Sequence, residues 1–288
     1  MTARFAPSAP SGADDATHAS GAPADAYGAI ADAYDRFWGE ALAPELEPVL
    51  VRLLGPAAPV TRLLDLCCGA GQLTAAFAAA GAQVVAVDGS PALVARARRR
   101  APAAEYVVAD LRRLEASGVL ASHAPFDAAI CVFDSLNHLA TTAELASVFR
   151  AVRAALRPGG RFVFDVNGRE GFEARFDGSL AFVADDLVCA VRARLDGAEG
   201  RYDLTVFRPA PAAFGPAADA PAAWRRSDTT LFQHCFEVAE IVAALDAAGF
   251  EAPNVLDAEA DLGLEGHIGR LVFVADRPAA GRGGVAGA

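Results

Sequence analysis

One carboxylate and two glycines between Val60 and Thr74 could contribute to a nucleotide site. Asp65 interrupts a short apolar run, and Gly69 and Gly71 follow it. Glycines permit a tight turn and let the backbone approach a ligand closely. Because a segment without helix breakers comes next, the pattern predicts a strand, a glycine-rich turn and a helix whose N-terminus faces the ligand.

A second acid indicates which part of a nucleotide is bound. Asp88 ends the apolar run Gln83–Asp88, which is predicted to be the next strand. An acid there can accept hydrogen bonds from both hydroxyls of an unphosphorylated ribose. A dinucleotide fingerprint would have glycine at position 74, where this chain has Thr74, and its first strand would be apolar at Asp65. The two departures argue against a dinucleotide.

The stretch Asp65–Gly71 resembles the first motif of the class I, Rossmann-like methyltransferases, which reads Asp-x-x-Cys-Gly-x-Gly. The resemblance implies S-adenosyl-L-methionine as the cofactor. It implies that the methionine part lies against Gly69, Gly71 and the backbone from Asp65 to Cys67. It further implies that the ribose lies at Asp88 and Gly89 and that the adenine lies at Asp110 and the Leu111 backbone. Phe133 would pack beside the adenine or ribose, and Tyr34 would lie on a helix that covers the cofactor.

Two of these assignments have structural alternatives. Asp110 could simply start a turn. The helix that carries Tyr34, predicted from Tyr27 to Leu54 in two pieces divided near Pro44 and Pro48, could pack on the sheet rather than cover the cofactor. The two roles of this helix are compatible, because they concern different faces.

A polar cluster follows the fourth predicted strand, Phe126–Phe133. Asp134, Asn137 and His138 lie beyond its C-terminal end, where ligands of open parallel sheets bind, and are the catalytic candidates. His138 could orient a methyl acceptor or remove its proton, because imidazole titrates near neutral pH. Alternatively, Asn137 and His138 only cap the loop and the helix after it. Weaker candidates for the pocket wall are Asn167 and His234.

The order of predicted elements defines an α/β fold. We expect a Rossmann-like, seven-stranded, mostly parallel sheet with an antiparallel last strand, formed by residues 25–276. A small antiparallel sheet is expected as an insertion at about 170–235, from strands Leu187–Leu195 and Arg201–Arg208, a five-residue loop between them, and a strand Trp224–Cys235. The tails 1–24 and 277–288 are predicted to be disordered, and the Pro/Ala-rich loop 209–223 is expected to be mobile.

Composition limits the classes of partner. The net charge of −11 comes from 36 acids and 25 basic residues, all of them arginine, and it disfavours nucleic acid. Five cysteines without metal-ligand spacing predict reduced thiols in a cytoplasmic protein and no metal site. No signal-peptide core or membrane-length apolar run occurs, so no membrane partner is expected.

These observations favour a methyltransferase that acts on a small-molecule N or O acceptor, mainly by proximity and orientation. The placement of the insertion resembles the branch of sugar-amine and glycine-type methyltransferases. The alternatives are a cofactor-binding regulator or scaffold without activity, or a methyltransferase that acts on RNA or protein. The inserted sheet would form the roof of the acceptor pocket or, failing that, a homodimer interface. The identity of the accepting atom stays open.

Overall fold

A computed structural model describes residues 25–55, 60–210 and 223–280. The predicted disordered tail 1–24, nearly all of the loop 209–223 and the last eight residues lie outside these ranges. Within the described part, no helix is both long and apolar enough to cross a membrane. All five cysteines are free thiols.

Helices and strands alternate through most of the chain. The helices are α1 Ala31–Tyr34, α2 Glu40–Leu54, α3 Gln72–Ala79, α4 Pro91–Arg100, α5 Leu114–Ser117, α6 Thr142–Ala155, α7 Arg169–Arg175 and α8 Val238–Ala248. The strands are β1 Arg62–Leu66, β2 Gln83–Asp88, β3 Glu105–Val108, β4 Phe126–Cys131, β5 Leu156–Asn167, β6 Asp177–Ala184, β7 Leu187–Asp196, β8 Glu199–Pro209, β9 Trp224–His234, β10 Asn254–Asp257 and β11 Arg270–Asp276.

Seven strands form the main sheet in the order β3-β2-β1-β4-β5-β11-β10. Strands β1 to β5 are mutually parallel, and β11 runs antiparallel to both of its neighbours, which confirms the predicted fold class. Helices α6 and α8 pack on one face through residues such as Phe149 and Leu245, and α2 and α3 pack on the other. The strand order reverses between β1 and β4, so their C-terminal ends open a crevice for a ligand.

The N-terminal helical region is divided elsewhere than predicted. Helix α2 runs unbroken through Pro44 and Pro48, and a π-helical turn at Asp35–Gly39 separates it from α1. Both prolines are exposed, so water can reach the carbonyl groups that they leave without an N–H partner. Burial of Leu46 and Leu50 on the opposite face holds the helix together.

The inserted sheet is larger than predicted. It has four antiparallel strands in the order β6-β7-β8-β9, and β6 and the preceding helix α7 had not been expected. The predicted five-residue loop is wrong, because Asp196 pairs with Glu199 and leaves only two residues in the turn. Strand β6 escaped prediction because it lies at the edge of the sheet, where Leu180 and Val183 are exposed.

Glycines follow helices α6 and α8. Strand β5 begins at Leu156, directly after α6, and includes Pro158, Gly159 and Gly160. The left-handed Gly249 ends α8, and Phe250 after it packs in the core before β10 begins at Asn254.

Asp127 joins the start of β1 to β4 and β5. Its Oδ2 accepts the N–H groups of Thr61 and Arg62 at 2.9 Å each and the Thr61 hydroxyl at 2.6 Å, while its Oδ1 accepts Nε of Arg157 at 2.7 Å. Burial opposes ionisation, but the bonds from Thr61, Arg157 and Arg62 outweigh it and hold the pKa of Asp127 below its usual value. The carboxylate therefore stabilises the fold when it is ionised.

We predict that Asp127→Asn lowers the free energy of unfolding at pH 7 by about 2 kcal/mol, the range for hydrogen bonds to a charged group. Because the folded-state pKa is depressed, this stabilisation is complete above the unfolded pKa of about 4 and is lost as the pH falls through the folded value. Urea unfolding at pH 7 and pH 3 measures it. Asp246→Asn, at an exposed acid of α8 whose side chain makes no hydrogen bond or ion pair within the described part of the chain, is the control and should leave stability unchanged. An equal loss at both pH values would contradict this account.

Candidate functional site

The glycine-rich turn after β1 has a backbone that few side chains would tolerate. Cys67, Gly69 and Gly71 have φ of 55°, 56° and 83°. The Cys68 N–H donates to the Val87 carbonyl at 3.1 Å and so ties the turn to β2. A Cβ on Gly71 would lie 2.7 Å from Cβ of Ala97, so glycine is required there by the packing against α4, with or without a ligand.

Asp88 ends β2 beside this turn. Its Oδ2 accepts the Gly69 N–H at 2.9 Å, and its Oδ1 accepts the Ser90 N–H at 2.8 Å. Burial raises the pKa of Asp88, and the two N–H bonds partly offset that effect. A carboxylate has about four lone-pair positions, so roughly two acceptor positions remain for further donors. Gly89 is exposed between Asp88 and Ser90.

Asp65 is buried next to Thr74, the residue that stands where a dinucleotide fingerprint would have glycine. The Thr74 hydroxyl donates to Oδ2 of Asp65 at 2.5 Å. Burial raises the pKa of Asp65 to about 7, although the Thr74 bond opposes the shift. Thr74 therefore satisfies the polar group that Asp65 brings into the first strand, and it links the strand to α3.

Asp110 is engaged within its own loop. Its Oδ1 accepts the Arg112 N–H at 3.0 Å, and the Arg112 guanidinium contacts both carboxylate oxygens, at 2.7 to 3.2 Å. The bonds from Arg112 hold the pKa of Asp110 below its usual value. Asp110 thereby caps the short turn that begins at Leu111, at the end of β3 and on the same edge of the sheet as Asp88.

The backbone of the turn after β4 is fixed by Asp165, a buried acid that the sequence analysis did not select. Phe133 and Asp134 have left-handed φ of 61° and 49°, unusual for residues with side chains. Asp165 in β5 accepts both of their N–H groups, at 3.1 Å and 2.5 Å. This carboxylate therefore fixes the backbone that presents Asp134.

Arg270, the first residue of β11, lies between two acids. Its Nη2 donates to Oδ1 of Asp134 at 2.8 Å, and its Nη1 lies 2.9 Å from Oδ2 of Asp165. Burial alone would favour neutral side chains. The guanidinium charge overcomes burial at Asp134 and holds its pKa below the usual value, whereas the pKa of Asp165 is raised by burial.

His138 is a neutral imidazole with a defined tautomer. Its Nδ1 lies 2.7 Å from the Phe232 carbonyl oxygen of β9, and because a carbonyl only accepts, Nδ1 carries the proton. Its Nε2 is then the acceptor of the Tyr27 hydroxyl at 2.8 Å. Burial lowers the pKa of His138 below 6.5, while Asp134 opposes this shift.

Asn137 is buried among backbone groups. Its Nδ2 donates to the carbonyl oxygens of Asn167 and His234 at 3.2 Å and 2.8 Å, and its Oδ1 accepts the Asn167 N–H at 2.9 Å. The side chain therefore joins the end of β5 to the end of β9. Through it, the inserted sheet is attached to the turn that carries Asp134 and His138. The His234 ring packs on Phe236.

Tyr27 and Tyr34 lie between the two turns. Their rings meet edge to face at 5.2 Å, and a Cβ on Gly69 would lie 3.1 Å from Cε1 of Tyr34. Burial, followed by the charges of Asp88 and Asp134, raises the pKa of the Tyr34 phenol, so both acids are near the same ring. The N-terminal segment thus covers the crevice between β1 and β4.

Salt bridges anchor this N-terminal cover. Asp35 accepts from Gln72, Arg96 and Arg100 at 2.7, 3.0 and 2.9 Å, which ties it to α3 and α4. Asp32 pairs with Arg208 of β8 through both of its oxygens. The cover therefore contacts the glycine-rich turn on one side and the inserted sheet on the other.

The fold brings most of the candidate residues to one crevice. The glycine-rich turn and Asp88 lie on one side of the two tyrosines, and Asp134, Asn137 and His138 lie on the other. Residues that sequence reasoning did not select also contribute, namely Tyr27, Asp165, Gln233 and Arg270. Asp165 had a detectable signal, since an acid inside the apolar run of β5 must find a partner, as Asp65 does.

We predict that His138 titrates below the usual histidine pKa of about 6.5 and, when neutral, carries its proton on Nδ1, because burial disfavours the imidazolium. Long-range ¹H–¹⁵N correlation spectra of the protein labelled at histidine report the tautomer and the titration. Since the folded-state pKa is lowered, His138 should make the fold less stable as the pH falls below its unfolded pKa. A His138 pKa at or above 6.5 would contradict the buried environment.

The chain is similar to known methyltransferases. Residues 63–160 match a family model described as a methyltransferase domain. An uncharacterized methyltransferase, sll0829 of Synechocystis, is 38% identical over 109 residues, 36% of this chain and 46% of that protein. The putative methyltransferase YqeM of Bacillus subtilis is 26% identical over 222 residues, 75% of this chain and 84% of that protein. The chain thus spans less than half of the first relative.

Solved structures share the fold. CalS10 of Micromonospora echinaspora, an amino pentose methyltransferase solved with S-adenosylmethionine, has a TM-score of 0.64 at 27% identity, over 86% of this chain and 96% of that one. The resemblance predicted from the first motif is confirmed by the domain match and by this shared architecture. Residues 63–160 therefore carry a methyltransferase domain, and the surrounding fold is that of the class I, S-adenosylmethionine-dependent methyltransferases.

Proposed function

We propose that this chain transfers a methyl group from S-adenosyl-L-methionine to a nitrogen or oxygen atom of a small molecule. The proposal depends on one observation: the glycine-rich turn after β1 and the turn after β4 lie on either side of the paired Tyr27 and Tyr34 rings. One turn has the backbone and the acid of a nucleotide site, and the other has a neutral histidine and a buried acid.

The residues of the first turn fit the cofactor. Gly69 offers close backbone approach, and Asp88 keeps acceptor positions beyond its two N–H bonds for the ribose hydroxyls. In this proposal Cys67 and Gly71 shape the methionine end, Leu111 and Asp110 are near the adenine, and Phe133 packs beside it. S-adenosylmethionine supplies an electrophilic methyl group on a sulfonium, and the protein supplies binding and orientation.

The second turn would position the acceptor. Nε2 of His138 can accept a hydrogen bond from an acceptor N–H or O–H, or remove its proton, once the Tyr27 hydroxyl moves aside. Asp134 and Asn137 hold the turn in place through Arg270, Gln233 and the backbone of β5. Orientation and exclusion of water can contribute about 7–11 kcal/mol to such a reaction.

A small acceptor agrees with the enclosure of the second turn and with the charge of the chain. The tyrosines and β9 enclose the turn, and the chain is acidic overall, which disfavours a polyphosphate substrate. One structural neighbour adds support, because CalS10 is named an amino pentose methyltransferase. Incubation of the protein with methyl-labelled cofactor and pooled primary amines, sugars and amino sugars would identify the acceptor class.

We predict that Asp88→Ala weakens S-adenosylmethionine binding at least tenfold, because two hydrogen bonds to a charged group are lost, each about 1.5–3 kcal/mol. Isothermal titration calorimetry measures it, with circular dichroism to show that the variant is folded. Asp246→Asn should bind like the wild type. Tight NAD binding without S-adenosylmethionine binding would refute the cofactor assignment.

A further inference from the structure

Two buried side-chain amides near the second turn have unpaired polar atoms. Asn167, at the end of β5, is 1% exposed, and neither its Nδ2 nor its Oδ1 has a partner among the described residues. Gln233 of β9 is 4% exposed, and its Oε1 has none in the same part of the chain. Buried polar groups in native proteins are nearly always hydrogen-bonded, so each of these needs an explanation.

The register of the strands places Asn167 beside the charged cluster. Side chains two residues apart on a strand share a face, so Asn167 lies on the same face as Asp165. Asn167 is also the Cα partner of Arg270 in the antiparallel pair of β5 and β11. Its amide therefore follows directly after the Asp165–Arg270 pair, at the edge of the sheet where ligands bind.

The orientation of Gln233 is fixed by its partners. Its Nε2 lies 2.5 Å from Oδ2 of Asp134 and 3.4 Å from Nε2 of His138. A carboxylate only accepts, so the NH₂ group must face Asp134 and the unpaired Oε1 must point elsewhere. The Oε1 atom, a hydrogen-bond acceptor without a partner among the described residues, thus lies near the His138 imidazole, which in the proposed function positions the methyl-accepting molecule.

The chemistry of these groups selects a neutral polar ligand. The charge of Arg270 is balanced by Asp134 and Asp165, so the cluster has no surplus positive charge for a carboxylate or phosphate. Its Nε and Nη1 have no hydrogen-bond partner among the described residues, so they can donate to a neutral oxygen. Asn167 offers both a donor and an acceptor, and Gln233 offers an acceptor. Adjacent hydroxyl and amino groups complement such a set, since each of them can donate and accept.

We propose that Asn167 and Gln233 form the subsite that recognises adjacent hydroxyl or amino groups of the methyl acceptor, which makes the acceptor an amino alcohol or a sugar. This inference rests on the proposed function, and it adds two positioning residues and a substrate class to it. The amides are left unpaired in the free protein because their partners belong to the ligand.

The first test compares two asparagines of equal burial. Asn167→Leu removes unpaired polar atoms and should leave the melting temperature unchanged or raise it. Asn137→Leu, the matched control, removes three hydrogen bonds and should lower it by about 5 °C or more, or prevent folding. An equal fall for Asn167→Leu would show that its amide serves the fold, and it would overturn the proposal.

The second test uses D-glucosamine as the probe, with the protein saturated with S-adenosylhomocysteine. Saturation-transfer NMR should detect binding to the wild type, and Asn167→Leu and Gln233→Met should weaken it at least tenfold while S-adenosylhomocysteine affinity stays within twofold. Thr230→Val, which loses a hydrogen bond on the opposite face of β9, should bind like the wild type. Cyclohexylamine, which has an amine but no hydroxyl, should bind at least tenfold more weakly.

Three results would overturn the subsite: no glucosamine binding to the wild type, undiminished binding to Asn167→Leu, or equal binding of cyclohexylamine. Failure of the proposed function gives a different result. Glucosamine would then bind through Asn167, but no labelled methyl group would reach it or any other small molecule. If S-adenosylhomocysteine itself does not bind, the proposed function fails, and the same titrations without it still decide the subsite.

Discussion

A single buried cation holds the functional half of this molecule together. Arg270 is 4% exposed and lies between Asp134 and Asp165, which come from the turn after β4 and from β5. Without the guanidinium, two carboxylates would face each other with little access to water. Loss of one partner of a buried ion pair typically costs about 3–5 kcal/mol. The antiparallel β11 is therefore more than an edge of the sheet, because its first residue completes the charge balance of the crevice.

The rest of the site follows from this ion cluster. Asp165 can hold the left-handed turn at Phe133 and Asp134 only while it accepts their N–H groups. That turn presents His138 to the β9 carbonyl and Asn137 to the ends of β5 and β9, which docks the inserted sheet. The docked sheet in turn binds the N-terminal cover through Arg208. The ion cluster thus fixes the turn after β4, the turn positions the inserted sheet, and the inserted sheet holds the N-terminal segment over the cleft.

Local sequence patterns predicted the main sheet well and the contacts across the cleft poorly. The run Gln83–Asp88 and the left-handed Gly69 and Gly71 follow from apolar patterning and glycine spacing, which are properties of neighbours in the chain. The partner of Asp165 is not a local property. Arg270 lies more than 100 residues from Asp165 in the sequence, and an arginine at the start of a strand is expected to be exposed. Gln233 is one of several polar residues in β9, and only the fold shows that its side chain is buried. Long-range pairing creates these environments, so no local pattern could reveal them.

The central claim is that the glycine-rich turn and the Asp134–His138 turn serve one reaction, with the methyl group between them. A crystal structure of the full chain with S-adenosylhomocysteine tests it most directly. The account predicts the ribose hydroxyls on Asp88 and the thioether sulfur facing His138 and Gln233, with space between them for a methyl carbon and an acceptor atom about 3–3.5 Å apart. A sulfur atom that points away from the Asp134–His138 turn, or a ribose bound away from Asp88, would contradict it.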